Sequence, residues 1–148
     1  MKLLSRLLVI LLAATSLTAV ADSDVEQGAK LYKTYCSACH GVTGGMDMSK
    51  RVAPPVIAVK MHYIGVYADK DSFVAAVTDW LEKPDASNSM MPGAVRKFKL
   101  MPKIPVAKDD AKKIAAYIYE GKLDKPAGFD AHFEEMHGKG RGMGRGGM

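Results

Sequence analysis

The chain contains two cysteines, and both lie in the segment Cys36-Ser37-Ala38-Cys39-His40. Two cysteines separated by two residues, with a histidine directly after the second, form the attachment signature of a c-type haem. Each thiol can add across one vinyl group of the porphyrin to make a thioether, and the short tether leaves the imidazole of His40 where it can ligate the iron. The segment therefore predicts one covalent haem c, with its iron bound by His40.

A cysteine pair at this spacing has two other common uses. A thioredoxin-like dithiol normally follows a strand and opens a helix, whereas here a helical pattern precedes the pair and no βαβ pattern is present. A structural zinc site needs further ligands at recognisable spacing, and the sequence does not supply them. Neither alternative fits the segment as well as haem attachment.

The N-terminus has the organisation of an export signal. Lys2 and Arg6 form a positive region, residues 7–14 are apolar, and small residues that end at Ala21 suit a cleavage site. The apolar run is shorter than the about 20 residues that a membrane span requires. We expect a signal peptide over the first 21 residues and a periplasmic mature chain that begins at Asp22, with an uncleaved anchor as the alternative.

Composition excludes several classes of protein. The 148 residues carry a formal net charge of +5, which is too small to indicate nucleic-acid binding. No second apolar segment has the length of a membrane span, so no stable span is expected after cleavage. No acid–base pair, activated nucleophile or further metal cluster is evident, and an independent enzyme is therefore not expected.

The spacing of apolar residues predicts helices over 24–35, 71–83 and 108–120. Residues 57–67 suit either a short helix or an extended stretch, and residues 84–105 form a long connection rich in turn-forming residues. No strand pattern or internal repeat is present. The predicted fold is all-α, with about four helices and long loops wrapped around one haem.

The composition changes after Asp130, where glycine, methionine and basic residues come to dominate. The interpretation is a folded domain over 22–130 and a disordered basic tail over 131–148. His132 and His137, with the methionines of this tail, could bind copper or nickel loosely. Composition favours a solvated tail over such a site.

The order of these features resembles that of a class I cytochrome c over residues 24–121. The residues that carry the resemblance are Gly28, Tyr32, the haem-attachment segment, Pro54, Pro55, Met101, Pro102, Tyr117 and Ile118. The resemblance implies the all-α cytochrome c fold, with Gly28, Tyr32, Tyr117 and Ile118 at a crossing of the first and last helices. It also implies one-electron transfer between redox partner proteins.

The resemblance further implies a methionine as the second axial ligand, which closes the iron to other ligands and raises its potential. In small bacterial members this methionine precedes a proline and lies about sixteen residues before the aromatic residue of the last helix. Met101 lies at that spacing from Tyr117, and Met91 is the alternative. His62 is a rival ligand, although a surface or packed histidine is commoner.

Two further roles follow from the family pattern. A proline carbonyl accepts a hydrogen bond from the proximal histidine and raises its basicity, and Pro55 is slightly favoured over Pro54 for this role. Trp80 could donate to a haem propionate, as tryptophans do in some relatives, but its place on an amphipathic face favours core packing.

Basic residues cluster around Met101, with no acid between residues 94 and 106. They are Arg96, Lys97, Lys99 and Lys103. In a class I cytochrome this loop flanks the exposed haem edge, so the cluster would steer an acidic partner towards it. An ordinary solvated loop is the alternative reading.

Three uses of the haem remain open at this point. The first is a free one-electron carrier with His and Met ligands. The second is a cytochrome subunit of a larger periplasmic oxidoreductase, and the third, less favoured, is a haem-based sensor whose methionine leaves the iron.

Overall fold

The computed structural model describes residues 16–138. In that range the chain forms seven α-helices and no strand, so the predicted all-α class is confirmed. The helices are α1 (Ser16–Tyr35), α2 (Ser37–His40), α3 (Val56–Ile64), α4 (Lys70–Glu82), α5 (Pro92–Phe98), α6 (Lys108–Glu120) and α7 (Phe129–His137), with a 3-10 turn at Ala86–Asn88.

Helices α1 and α6 cross at Gly28, where their backbones touch. A Cβ atom on Gly28 would overlap the carbonyl oxygen of Lys113 and lie 2.9 Å from Cβ of Tyr117. One turn further along α1, the ring of Tyr32 packs on that of Tyr117 at a centroid distance of 5.5 Å. The predicted contact between the first and last helices is therefore present, and it requires glycine because no side chain fits between the two helices.

Helix α4 packs against α6 and completes the scaffold. Phe73 of α4 and Ile114 of α6 are fully buried between the elements. Asp69 caps the start of α4, because its carboxylate accepts a hydrogen bond from the backbone N–H of Ser72 at 2.9 Å. The helix ends at Glu82, two residues before Pro84, which cannot continue it.

Two helices occupy stretches that the sequence left open or assigned to loop. The ambiguous segment 57–67 is largely the helix α3. The long connection contains α5, which begins with Pro92 at a position where a helix needs no backbone N–H donor. Because α5 has only seven residues, its apolar spacing was too short to predict it.

Helix α7 corrects the predicted tail boundary at residue 131. Phe129 is 3 % exposed, and Phe133 packs both on Phe129 and on His137 at centroid distances of 5.7 and 4.4 Å. These three rings lie four residues apart and therefore share one face of a helix. The glycine-rich sequence after His137 made this short aromatic pattern hard to recognise in the sequence. Residues 139–148, with Met143 and Met148, lie outside the described residues.

The expected signal peptide falls mostly outside the described residues as well. Helix α1 already runs from Ser16, so it passes through the expected cleavage position at Ala21. Cleavage there remains a prediction. Within residues 16–138, no helix combines the length and apolar character needed to cross a membrane.

Candidate functional site

A cavity of about 370 Å³ opens beside the end of α1 and is enclosed by α3, α4, α5, α6 and the segment after α5. Cys36, Cys39 and His40 line it, and so do Met91 and Met101. Most of the remaining wall is apolar, including Val56, Val59, Tyr63, Leu81, Ile104 and Ile114. A covalent six-coordinate haem needs two thiols to attach its vinyl groups and an imidazole and a thioether to ligate its iron. The cavity offers all of these in apolar surroundings, so it fits this group.

The two cysteines reach the cavity because α2 continues the winding of α1. The backbone N–H of Cys36 donates to Tyr32 at 2.9 Å, and that of His40 donates to Cys36 at 2.9 Å. Cys36 and Cys39 are three residues apart on a helical turn and therefore face the same side. Burial, followed by the nearby Cys39, raises the pKa of the Cys36 thiol to about 11.

The imidazole of His40 is oriented by Pro54. Its Nδ1 lies 2.8 Å from the carbonyl oxygen of Pro54. A carbonyl can only accept, so Nδ1 carries the proton and Nε2 keeps its lone pair for a metal. Burial lowers the pKa of His40, the hydrogen bond to Pro54 opposes that shift, and the charge of Arg51 adds to it.

This contact corrects the expectation that Pro55 would face His40. The carbonyl of Pro55 accepts the backbone N–H groups of Ala58 and Val59, at 2.9 and 3.3 Å, where α3 begins. It is therefore engaged in the first turn of the helix. Pro54, one residue earlier, keeps a free carbonyl oxygen for the histidine.

Arg51 organises the loop between His40 and α3, and sequence reasoning missed it. The side chain is 7 % exposed, and its guanidinium donates to four backbone carbonyls in the described structure. Nε reaches Ala53 at 3.1 Å, Nη1 reaches Thr43 and Gly45 at 3.0 and 3.1 Å, and Nη2 reaches Gly41 at 2.6 Å. The sequence did contain a signal for this role: Arg51 is a basic residue within a glycine-rich loop and is remote from the basic cluster around Met101.

Tyr32 binds the start of this loop through its hydroxyl group. Its hydroxyl donates to the carbonyl oxygen of His40 at 3.2 Å, and burial raises its pKa far above the ordinary value. The histidine is thus fixed through its ring by Pro54 and through its backbone by Tyr32.

The family model described as Cytochrome c matches residues 25–122, which is more than half of the chain. The chain belongs to the cytochrome c family. Its cofactor is therefore covalently bound haem c with iron, and its function is haem-based electron transfer. The matched residues run from the start of the α1–α6 crossing to the end of α6 and include every residue of the cavity.

One relative has been described only as an uncharacterized protein, from Aquifex aeolicus (strain VF5). It is 26 % identical to the cytochrome over 150 aligned positions, which cover 90 % of this chain and 97 % of the relative. No solved structure gives a significant match.

The two candidate methionine ligands of the cytochrome both line the cavity. Met91 lies at the start of α5, and Met101 follows three residues after that helix ends. Their neighbour Met90 packs against the hydrophobic core. The choice of Met101 over Met91 as ligand therefore remains a prediction, since both residues line the same cavity.

His62 lies away from the cavity, against α7. Its ring is 5.1 Å from that of His137 and 6.4 Å from that of Phe133, between centroids. Burial and the neighbouring His137 lower its pKa. The structure therefore does not support His62 as a rival iron ligand. Within residues 16–138, no group of three or more His, Cys, Asp and Glu side chains could bind a metal ion.

Trp80 lines the cavity, whereas core packing was the favoured expectation. The indole is on the face of α4 that the amphipathic pattern assigned to the core, and that face forms part of the cavity wall. The amphipathic pattern could not tell whether Trp80 packs in the core or lines the cavity, because both places favour an apolar aromatic residue.

Exposed apolar residues line the cavity, and exposed basic residues belong to its lining or lie next to lining residues along the chain. Tyr35, Val52 and Leu100 line the cavity and are 40, 67 and 41 % exposed; we call them the apolar rim. Arg96, Lys97, Lys99 and Lys103 are exposed in α5 and the segment that follows; we call them the basic collar. Exposed apolar side chains beside a charged surface are typical of a protein contact site.

Proposed function

We propose that this cytochrome is an exported one-electron carrier whose haem is attached to Cys36 and Cys39 and ligated by His40 and Met101. The hydrogen bond from Nδ1 of His40 to Pro54 carries the proposal, because it leaves Nε2 as the ligating nitrogen in a cavity that both thiols share. When bound, the haem supplies reversible exchange of one electron at its iron.

The residues of the chain prepare this exchange. Pro54 would raise the electron density on the imidazole, because its carbonyl oxygen accepts a hydrogen bond from Nδ1–H of His40. Val59, Tyr63 and Ile114 exclude water, which limits reorganisation when the charge changes. Two thioether bonds would retain the cofactor while the cytochrome moves between partners.

The basic collar and the apolar rim together favour an acidic redox partner. Opposite charges would raise the rate of encounter, and the exposed side chains of Val52 and Leu100 would form the short-range contact. Lys99 both belongs to the collar and lines the cavity, so the docking surface would adjoin the cofactor. The cytochrome would pass electrons between proteins without catalysing a reaction of its own.

The proposed location is the periplasm. The positive, apolar and small-residue regions of the N-terminus support export with cleavage after Ala21. The mature domain would then begin at Asp22, and α7 extends its folded part to His137.

The first test is the purified, matured protein. It should be coloured, begin at Asp22 and exceed the mass of its polypeptide by one haem, and Cys36→Ala/Cys39→Ala should lose the covalent cofactor. Colourless protein with the bare polypeptide mass would contradict the proposal.

The second test concerns the carrier role. The reduced cytochrome should pass one electron to an acidic acceptor protein, at a rate that falls as salt increases. Isolation at a fixed ratio with a larger protein would instead identify it as a subunit of an oxidoreductase. Ready binding of carbon monoxide by the wild-type ferrous protein would favour the sensor reading.

A further inference from the structure

The cavity contains one more candidate iron ligand than a six-coordinate haem needs. His40 supplies one axial position, and the thioethers of Met91 and Met101 both line the same cavity. Thioether sulfur is an established axial ligand of haem iron, and methionine is flexible enough to reach different positions. Two methionines therefore share the cavity that would hold the iron.

The backbone of Met91 is fixed on both sides. Its carbonyl accepts the N–H groups of Ala94 and Val95 at 2.9 and 3.1 Å, in the first turn of α5. Its own N–H donates to the hydroxyl of Ser89 at 3.1 Å, and Ser89 also lines the cavity. Met91 thus remains beside the cavity as long as α5 is formed.

The backbone of Met101 is held differently. Two residues earlier, Lys99 has φ 71° and is the only non-glycine residue with positive φ in the described chain. Residues 99–107 form no helix or strand. A side-chain-bearing residue in this conformation is strained, and a segment without regular hydrogen bonding opens more easily than a helix start. Met101 is therefore the more displaceable of the two.

We infer that Met91 is a reserve axial ligand that takes the iron position when Met101 leaves it. In this exchange one thioether–iron bond breaks and another forms, and no electron or proton is transferred. The iron remains six-coordinate and closed to small ligands, which preserves electron transfer while the strained segment moves. The inference depends on the proposed haem site at His40.

Leucine variants of the matured holoprotein test this inference, because leucine keeps the volume of methionine but lacks its sulfur. The variants are Met101→Leu, Met91→Leu and the double variant, with Met90→Leu as the matched control in the core. Two readouts are compared: the weak long-wavelength absorption band of methionine-ligated ferric haem, and carbon monoxide binding to the ferrous protein.

The expected result is that Met101→Leu keeps the methionine band and binds carbon monoxide poorly. Met91→Leu and Met90→Leu should behave like the wild type, and only the double variant should lose the band and bind the gas. Loss of the band in Met101→Leu alone overturns the reserve role and leaves the His40–Met101 proposal intact. Loss in Met91→Leu alone also overturns it, whereas absence of the band in wild type contradicts the proposed function itself.

Discussion

His40 donates from Nδ1 to the carbonyl oxygen of Pro54 at 2.8 Å, across a loop of thirteen residues that Arg51 ties together. The carbonyl next to it, that of Pro55, is already engaged by the start of α3. The orientation of His40, the proposed proximal ligand, therefore depends on two features: a helix that begins at Val56, directly after Pro55, and a buried guanidinium that fixes the path of the loop.

Arg51→Met should destabilise the holoprotein by about 3 kcal/mol, because four backbone carbonyl groups, one buried and three partly buried, lose their donor. The free energy of unfolding in denaturant measures this loss. Arg96→Met, in the exposed collar, removes the same charge from the surface and should change stability little. Equal effects of the two substitutions would mean that the loop does not depend on the guanidinium.

Gly28→Ala should separate α1 from α6 and cost about 1–3 kcal/mol, because the new Cβ overlaps the backbone of Lys113. Gly93→Ala is the matched control. In α5 the nearest atom to a Cβ on Gly93 is 3.8 Å away, on the flexible side chain of Arg96, so this change should stabilise the helix by about 0.5–1 kcal/mol. Thermal unfolding should show a lower Tm for Gly28→Ala and a higher Tm for Gly93→Ala. An unchanged Tm in Gly28→Ala would refute the close crossing.

Acid should loosen α7 from α3 through His62. Burial and His137 lower the pKa of His62 in the folded protein, so the folded state favours the neutral ring. The resulting stability is present above the ordinary histidine pKa of about 6.5 and is lost as the pH falls through that value towards the folded pKa.

Hydrogen exchange of α7 at pH 7 and pH 5 checks this expectation. The protection factors, which correct for the slower intrinsic exchange of amides at the lower pH, should fall at pH 5 in wild type and change much less in His62→Phe, which keeps an aromatic ring against Phe133 and His137. His132→Gln, elsewhere on α7, is the control and should retain the response. The same acid response in His62→Phe would exclude His62 as its source.

Charge reversal in the basic collar should slow electron transfer to an acidic partner. Lys97→Glu/Lys103→Glu is expected to lower the association rate about tenfold or more at low salt, and the difference should shrink as salt rises. Lys112→Glu changes an exposed residue of α6 that is not part of the cavity and should have little effect. Stopped-flow rates over a series of salt concentrations provide the comparison, and identical salt dependence in all three proteins would exclude the collar as the docking surface.

The sequence by itself determined the features that depend on neighbouring residues. The spacing of Cys36, Cys39 and His40 places three reactive groups on one helical turn, and the apolar periods of α4 and α6 identify helices that bury one face. Gly28 could be recognised because a glycine inside a helix is unfavourable unless a close contact requires it.

Only the tertiary structure decided which distant groups meet. Pro54 and Pro55 are equivalent as residues, but the start of α3 engages one carbonyl and leaves the other for His40. Met91 and Met101 share a cavity because α5 bridges them, and His62 faces α7 because a short aromatic stripe forms a helix there. The spacing of apolar residues reports only the local environment of a segment. Contacts between distant segments depend on how the complete chain packs, and for that reason no local pattern could predict these contacts.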